Sequence, residues 1–546
     1  MQSLLRRSLR LFVVFSVTGV LSLADSAAQE PEPEQILLHG KVLTVDADFS
    51  IAEAVAVAGD KILAVGSNED ILGLAGPATT IIELEGRTVI PGLIDNHSHM
   101  TSAARDWART VQLEGALTRQ EALARIAARA AEAAPGEWIF ALRGWTPGQF
   151  QDRPGPFTRE ELDRAAPDNP VLVAAGMDRV GTANSRALAA AEFDDPRGRV
   201  DGAAAVNRVV QAAGEPGSWQ AGLARLVADF VSVGLTTIFD PRARYAGQHT
   251  FYEPVERAYA NGQLPLRVFH TLNGQGGGDE SRGVEQIVEE LLNTKPFQGN
   301  DELAQFGFGE DTLRVLRDTN ARPWQRTPQI TADFLAISLA AAQAGWQFHE
   351  HSHLEEKIRF VIDIYEQVNR THPIKDLRWT LHHATNLSDD DIARLNALGV
   401  GVAIHSHGAL AEGASEREAA LTAGPPAKAL EDAGVVWGLG TDFGGPPITV
   451  SNPFITLSWA VTGKSLTGRT VMPDTVSRQA ALVAHTRSNA YLLHKESVLG
   501  TLEPGKYADL VVLDRDYLTI PAEDIKLIRP VLTMIGGEIV FRADAE

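Results

Sequence analysis

The sequence predicts an α/β protein. Its centre is a (β/α)8 TIM barrel, with a small β-sandwich built from both chain ends and an insertion after the first barrel strand. Three observations in the 546 residues predict this. From about residue 218, apolar strand patterns alternate with amphipathic helical ones, which implies parallel pairing through right-handed crossovers. Eight strand patterns occur in all, and each closes on an ionisable residue: His97 with His99, Asp240, His270, Glu310, His351, His383, His405 and Asp442. Residues 29–90 and 495–546 show instead short strands with tight turns, such as ILLHGKVLTVD and ADLVVLD.

Taken in order, residues 1–28 read as a signal peptide. Arg6, Arg7 and Arg10 make a basic start, LFVVFSVTGVLSLA an apolar centre too short to span comfortably, and Ser26-Ala27-Ala28 a small-residue cleavage site before Gln29. Arg6-Arg7-Ser8-Leu9 partly resembles a twin-arginine signal. The sandwich halves 29–90 and 495–546 flank a barrel at 91–494. Its first strand comes from TVIPGLIDNHSH, with Thr88–Ile94 expected as one buried strand. Residues 101–217 form the insertion, with a helix from Arg119 and the strand PVLVAAG. Then strand and helix alternate: LTTIFD, LRVFHTL, ELAQFGFGE, WQFHEHSH, RWTLHHA, GVGVAIHSH and VVWGLGTD are the later strands. The helix predicted at 388–398 opens on a Ser cap and an acidic first turn.

Composition excludes several functions. A net charge of −21 disfavours nucleic acid and anionic membranes as partners. The absence of cysteine rules out thiolate metal sites and cysteine nucleophiles, so a metal must be held by His, Asp, Glu or a modified Lys. GQGGGD (274–279) lacks the Lys-Ser/Thr of a phosphate loop and reads as a flexible lid.

The strand ends carry the chemistry. Residues i and i+2 of a strand share a face, so His97 and His99 project together and can take adjacent positions on one ion; the alternative is a solvated loop. So many imidazoles and carboxylates at strand ends would be costly to desolvate unpaired, and a shared cation offsets that cost. His349, His351 and His353 alternate. His349 is expected as a core histidine and His353 as a substrate contact. His382 and His383, being neighbours, are expected to face opposite sides, His383 the barrel axis and His382 the helix layer. Asp240 and His270 are expected as structural hydrogen-bond partners.

VIPGLIDNHSH, the histidines closing later strands, GTD at the last strand and LGTLEPGKYADLVVLD together resemble the amidohydrolase superfamily. RGW, ELDRAAPDNPV, NSRAL, HHA and DRDYLTIPAEDI resemble its amidohydrolase-3 group, which includes N-substituted formamide deformylases. The resemblance implies a divalent metal site, one or two ions and zinc foremost, held by His97, His99, Glu310, His351, His383 and Asp442. Glu310 stands where many members carry a carboxylated lysine. The place of Asp442 after a turn at the barrel mouth is read as that of the catalytic base, and His405, which closes a strand where the group usually shows a non-ligand residue, His353 and Arg179 are read as substrate contacts; Arg179 lies near a place where the group often has histidine.

The expected activity is hydrolysis of a non-peptide C–N bond in a small amide, N-acyl or N-formyl amine or cyclic amide, by metal-activated hydroxide. The alternatives are a lactonase or esterase on the same site, or a catalytically silent exported binder of metal or small ligands. The protein is expected to be periplasmic or secreted, free of the membrane after signal cleavage, and able to form homo-oligomers.

Overall fold

The structure is a computed structural model and describes residues 32–142, 145, 147–175, 180–214, 219–245, 252–275, 282–318, 324–406, 425–444, 451–465, 468–472 and 474–544. The predicted signal peptide, Arg179 and residues 276–279 of the glycine-rich stretch lie outside them.

Eight parallel strands form the ring: β1 (Leu93–Asp95), β2 (Leu235–Tyr245), β3 (Arg267–Asn273), β4 (Leu303–Phe308), β5 (Gln347–Ser352), β6 (Thr380–His383), β7 (Gly401–His405) and β8 (Trp437–Gly440). Each pairs with the next. The ring closes just beyond the strands, where Asp442 N–H donates to His97 O (2.8 Å) and His99 N–H to Phe443 O (2.7 Å). Helices α1 (Trp219–Ser232), α2 (Glu253–Ala260), α3 (Val284–Asn293), α4 (Pro328–Gln343), α5 (Glu355–Asn369), α6 (Asp389–Leu398) and α7 (Ala427–Asp432) precede β2 to β8 in turn. Local sequence sets their ends. Ser388 and Asp391 form a capping box at the start of α6, and Gly399 stops it at φ 69°.

The run 88–94 is not one strand, contrary to the sequence expectation. Thr88–Pro91 pairs with Lys41–Leu43 and Leu510–Leu513 in a six-stranded sheet, and only Leu93–Asp95 enters the barrel. The break is Gly92, where a Cβ would lie 2.3 Å from Thr236 Oγ1. That sheet and a four-stranded one (order Lys61–Gly66, Ala54–Ala58, Gln35–Leu38, Thr80–Glu83) share a core of Leu37, Val42, Val55, Val89, Leu510 and Met534. Both chain ends therefore contribute to one apolar unit. The insertion carries its own sheet (Ile139–Ala141, Val171–Ala175, Val180–Ala183) and its own cores.

Ile94, Phe239, Phe269 and Phe306 come from the first four barrel strands and cluster with Ala490, Leu493 and Leu499. Phe239 lies 4.8 Å from the His349 ring, so this apolar layer floors the histidines above it. Among the described residues no helix is long and apolar enough to cross a membrane.

Candidate metal centre

Glu310 sits at the middle of the site and is almost wholly buried. It follows β4 through Gly309, whose φ of 102° and whose missing Cβ, which would fall 1.9 Å from His349 O, let the chain turn tightly against β5. Glu310 Oε2 lies 3.2 Å from His97 Nε2, 3.3 Å from His351 Nδ1 and 3.5 Å from His383 Nε2, and Oε1 lies 3.7 Å from His99 Nε2. Asp442 Oδ1 is 3.2 Å from His99 Nε2 and 3.5 Å from His97 Nε2. The six residues expected as ligands are thus brought together. They fall into two groups, His97, His99 and Asp442 on one side and His351 and His383 on the other, with Glu310 between.

Two of these six positions are reached by left-handed backbone at non-glycine residues, His383 at φ 67° and Asp442 at φ 55°. Such conformations cost of order 1 kcal/mol each and persist where surrounding structure over-determines them. For His383 the consequence is direct. The period of two predicts that only one of His382 and His383 points inward, but both do. His382 faces the barrel axis as the strand dictates, with Nδ1 2.7 Å from His97 Nδ1 and Nε2 2.8 Å from His349 Nδ1. His383 then swings back into the mouth because the strand ends there in a left-handed turn.

The donor set fits a divalent cation. Among the described residues His97 Nε2 and His383 Nε2 are buried without a hydrogen-bond partner, although both face the Glu310 carboxylate. Lone pairs turned toward one another repel unless a proton or cation lies between them. The 3.2–3.7 Å spacings match the edges of a tetrahedron with metal–ligand bonds of about 2.0–2.1 Å, which are about 3.3 Å long. All donors are N or O, suited to Zn, Mn, Fe or Co. Burial pushes the Glu310 carboxyl upward, but the imidazoles of His97, His351 and His383 packed around it outweigh that and hold the group well below the usual carboxylate range. Burial lowers His97 to about 4 and takes His382 well below its ordinary value, so both rings are neutral at pH 7.

Residues behind these candidate ligands fix their orientation. His351 Nε2 is 3.0 Å from Asp318 O, which turns Nδ1 toward Glu310. Asp318 also accepts the backbone N–H groups of His353 (2.9 Å) and Leu354 (2.7 Å). Lys357, fully buried in the first turn of α5, meets Glu350 Oε1 at 2.9 Å and Asp318 Oδ1 at 3.6 Å and donates to His351 O. Asp95 accepts from the N–H groups of His97 (3.1 Å) and Thr441 (2.9 Å) and so bolts β1 to β8; burial raises its carboxyl to about 7. Asp318, Lys357, Asp95 and His382 were not anticipated as site residues. The readable signals were a lysine in the helix turn after HSH and an aspartate ending an apolar strand.

The remaining expected contacts distribute as follows. His353 Nδ1 is 3.0 Å from Thr385 Oγ1, and its ring stacks on His383 at 4.3 Å. His405 Nδ1 is 2.9 Å from His383 Nδ1. His349 lies in the layer below, bonded to His382. Asp240 Oδ2 accepts from Thr101 N (3.0 Å) and Oγ1 (2.7 Å), tying β2 to the helix after His99. The His270 ring packs 4.0 Å from Tyr252. Neither joins the Glu310 cluster.

Comparison with known proteins agrees with this geometry. The amidohydrolase family model matches residues 80–541. The chain is 26% identical to N-substituted formamide deformylase of Arthrobacter pascens, over 93% of this chain and 98% of that protein. A metal-dependent hydrolase of Pyrococcus furiosus superposes with a TM-score of 0.64 at 20% identity, covering 89% of this chain and all of that one. Atrazine chlorohydrolase of Arthrobacter aurescens, solved with zinc, gives 0.51 at 17% identity, covering 93% and 95%. The chain belongs to the amidohydrolase family and is a metal-dependent hydrolase of carbon–nitrogen bonds other than peptide bonds.

Proposed function

We propose that the protein hydrolyses a small amide, an N-formyl or N-acyl amine or a cyclic amide. One or two divalent cations, zinc foremost, would be held by His97, His99, Glu310, His351, His383 and Asp442. The observation that carries this reading is one buried carboxylate oxygen, Glu310 Oε2, ringed by three imidazole nitrogens at 3.2–3.5 Å, with Asp442 beside them. A cation held by these residues would lower the pKa of water to about 7 and polarise a carbonyl. Asp442 is the partly exposed member, its side chain 27% accessible, and so the carboxylate a substrate can meet. The imidazoles of His99, His97 and His383 outweigh its burial and hold it well below the usual carboxylate range, so it stands ionised. It takes one proton of the attacking water and passes it to the nitrogen as the C–N bond breaks, giving a carboxylic acid and an amine. Resemblance over the whole chain to a formamide deformylase supports N-formyl and N-acyl amines as first candidates. The basic, apolar and small-residue order of residues 1–28 supports export.

The test is elemental analysis of purified protein together with a panel of N-formyl amines, N-acyl amines, cyclic amides and lactones, with and without chelator. The expected result is at least one divalent ion per chain and amide turnover that chelation abolishes and metal restores. Turnover of lactones alone would make the protein an esterase. Bound metal without turnover would make it a binder.

A further inference from the structure

His383 and His405 share a single contact, Nδ1 to Nδ1 at 2.9 Å. One hydrogen bond holds one proton. A neutral imidazole that ligates a cation through Nε2 carries its proton on Nδ1. If both rings ligated through Nε2, two N–H groups would face each other across that distance. The two histidines therefore exclude one another as ligands, although His97, His383 and His405 each present a ring nitrogen within 4.8 Å of the others. Position decides between them. His383 Nε2 lies 3.5 Å from Glu310 Oε2, and its ring is 4.3 Å from that of His351, on the ligand side. His405 makes no ion pair with a described carboxylate.

We infer that His405 is a catalytic hydrogen-bond donor, its Nε2–H aimed at the carbonyl oxygen of the substrate, while His383 alone of the pair holds metal. His383 Nδ1–H donates to His405 Nδ1, so His405 must carry its own proton on Nε2. That nitrogen is buried and has no hydrogen-bond partner among the described residues. The His405 ring lies 4.1 Å from the His97 ring and 4.6 Å from the His383 ring, so it packs among the rings that carry the candidate ligand nitrogens. An oxygen atom brought there by a substrate is the partner this N–H lacks. During hydrolysis the water oxygen adds to the carbonyl carbon and the π pair moves onto the oxygen facing His405. That pair re-forms the carbonyl as the C–N bond breaks and the nitrogen leaves with the proton carried by Asp442. His405 keeps its proton throughout. A fixed donor in a buried site favours the charge that develops on the oxygen over the uncharged ground state. This role rests on the amide-hydrolase reading above.

The experiment compares His405→Ala, His405→Gln and His383→Ala in protein loaded with zinc. His405→Ala should keep the wild-type metal content, while His383→Ala loses metal. His405→Ala should lower kcat about 10²–10³-fold, with KM little changed, and weaken a phosphonate analogue by a similar factor. His405→Gln, which retains an N–H at similar reach, should recover part of both losses. Nitrogen-15 NMR of the histidines should show His405 in the Nε2–H form. Three results would each overturn the inference: metal lost in His405→Ala but kept in His383→Ala, rate and analogue affinity unchanged in His405→Ala, or the proton found on His405 Nδ1. If the wild-type protein turned over no amide, the functional reading would fail, while metal content and the tautomer would still decide whether His405 is ligand or donor.

Discussion

At the scale of single residues, the site is governed by what a buried carboxylate demands. Glu310 has almost no access to water and is surrounded by imidazoles, so its charge is compensated only by them and by whatever cation they share. Glu310→Gln keeps the shape and removes the charge. Bound metal per chain should fall, with affinity reduced at least about 100-fold, the upper end of what outer-shell partners cost. Unchanged metal content on elemental analysis would refute its place as a ligand. A histidine outside the site supplies a pH dependence. His485 is fully buried, and burial holds its ring at about 4 against an ordinary 6.5. Between those values the unfolded chain binds the proton and the folded chain does not, so stability is lost as pH falls from about 6.5 to about 4. At pH 5 the loss is of order 2 kcal/mol. Thermal melts at pH 7 and pH 5 should show a smaller drop for His485→Gln than for the wild type.

At the scale of elements, the period of two placed most strand-end residues correctly and failed where a strand stops. His351 and His349 face inward together as residues two apart should, while Glu350 between them faces Lys357 of α5. His382 obeys the same rule, and the left-handed turn at 383–384 brings its neighbour back into the mouth. Such a turn has no local signature when the residues are His and Ala rather than Gly. Gly92 is the converse case. The apolar run around it hides a change of sheet, because an uninterrupted hydrophobic pattern does not reveal which sheet its hydrogen bonds join. Gly92→Ala should destabilise the protein by about 1–3 kcal/mol, since the new methyl must displace Thr236 at the crossing between sandwich and barrel. Chemical denaturation measures this, and an unchanged midpoint would mean that the crossing relaxes freely.

At the scale of the whole molecule, barrel and sandwich are joined by buried contacts rather than by a linker. Arg267 at the start of β3 makes a two-point ion pair with Asp509, at 2.7 and 3.0 Å, and both side chains are nearly inaccessible. The barrel's apolar cluster also takes in Val511, Leu513, Tyr517 and Ile525 from the C-terminal segment. Asp509→Ala leaves the guanidinium buried without its carboxylate and should cost about 3–5 kcal/mol. Replacing both partners with apolar residues should cost less. Thermal denaturation of the single and double variants distinguishes these outcomes, and a double-variant loss equal to the sum of the two single losses would show that the pair is not coupled.

The sequence by itself determined the alternation of strand and helix, the eight strand ends with their ionisable residues, the insertion's place in the chain and the six candidate ligands. The first three follow from local periodicity and residue chemistry, and the six candidate ligands from the resemblance of the motifs to a known family. The tertiary structure alone decided that Glu310 lies between two groups of ligands, that His382 and His383 both enter the barrel, and that Lys357 and Asp318 brace His351. It alone decided that His405 faces His383 nitrogen to nitrogen. The physical reason is that tautomers, lone-pair directions and buried charge balance depend on which groups from distant strands come within about 3 Å of one another. No pattern along the chain encodes that distance.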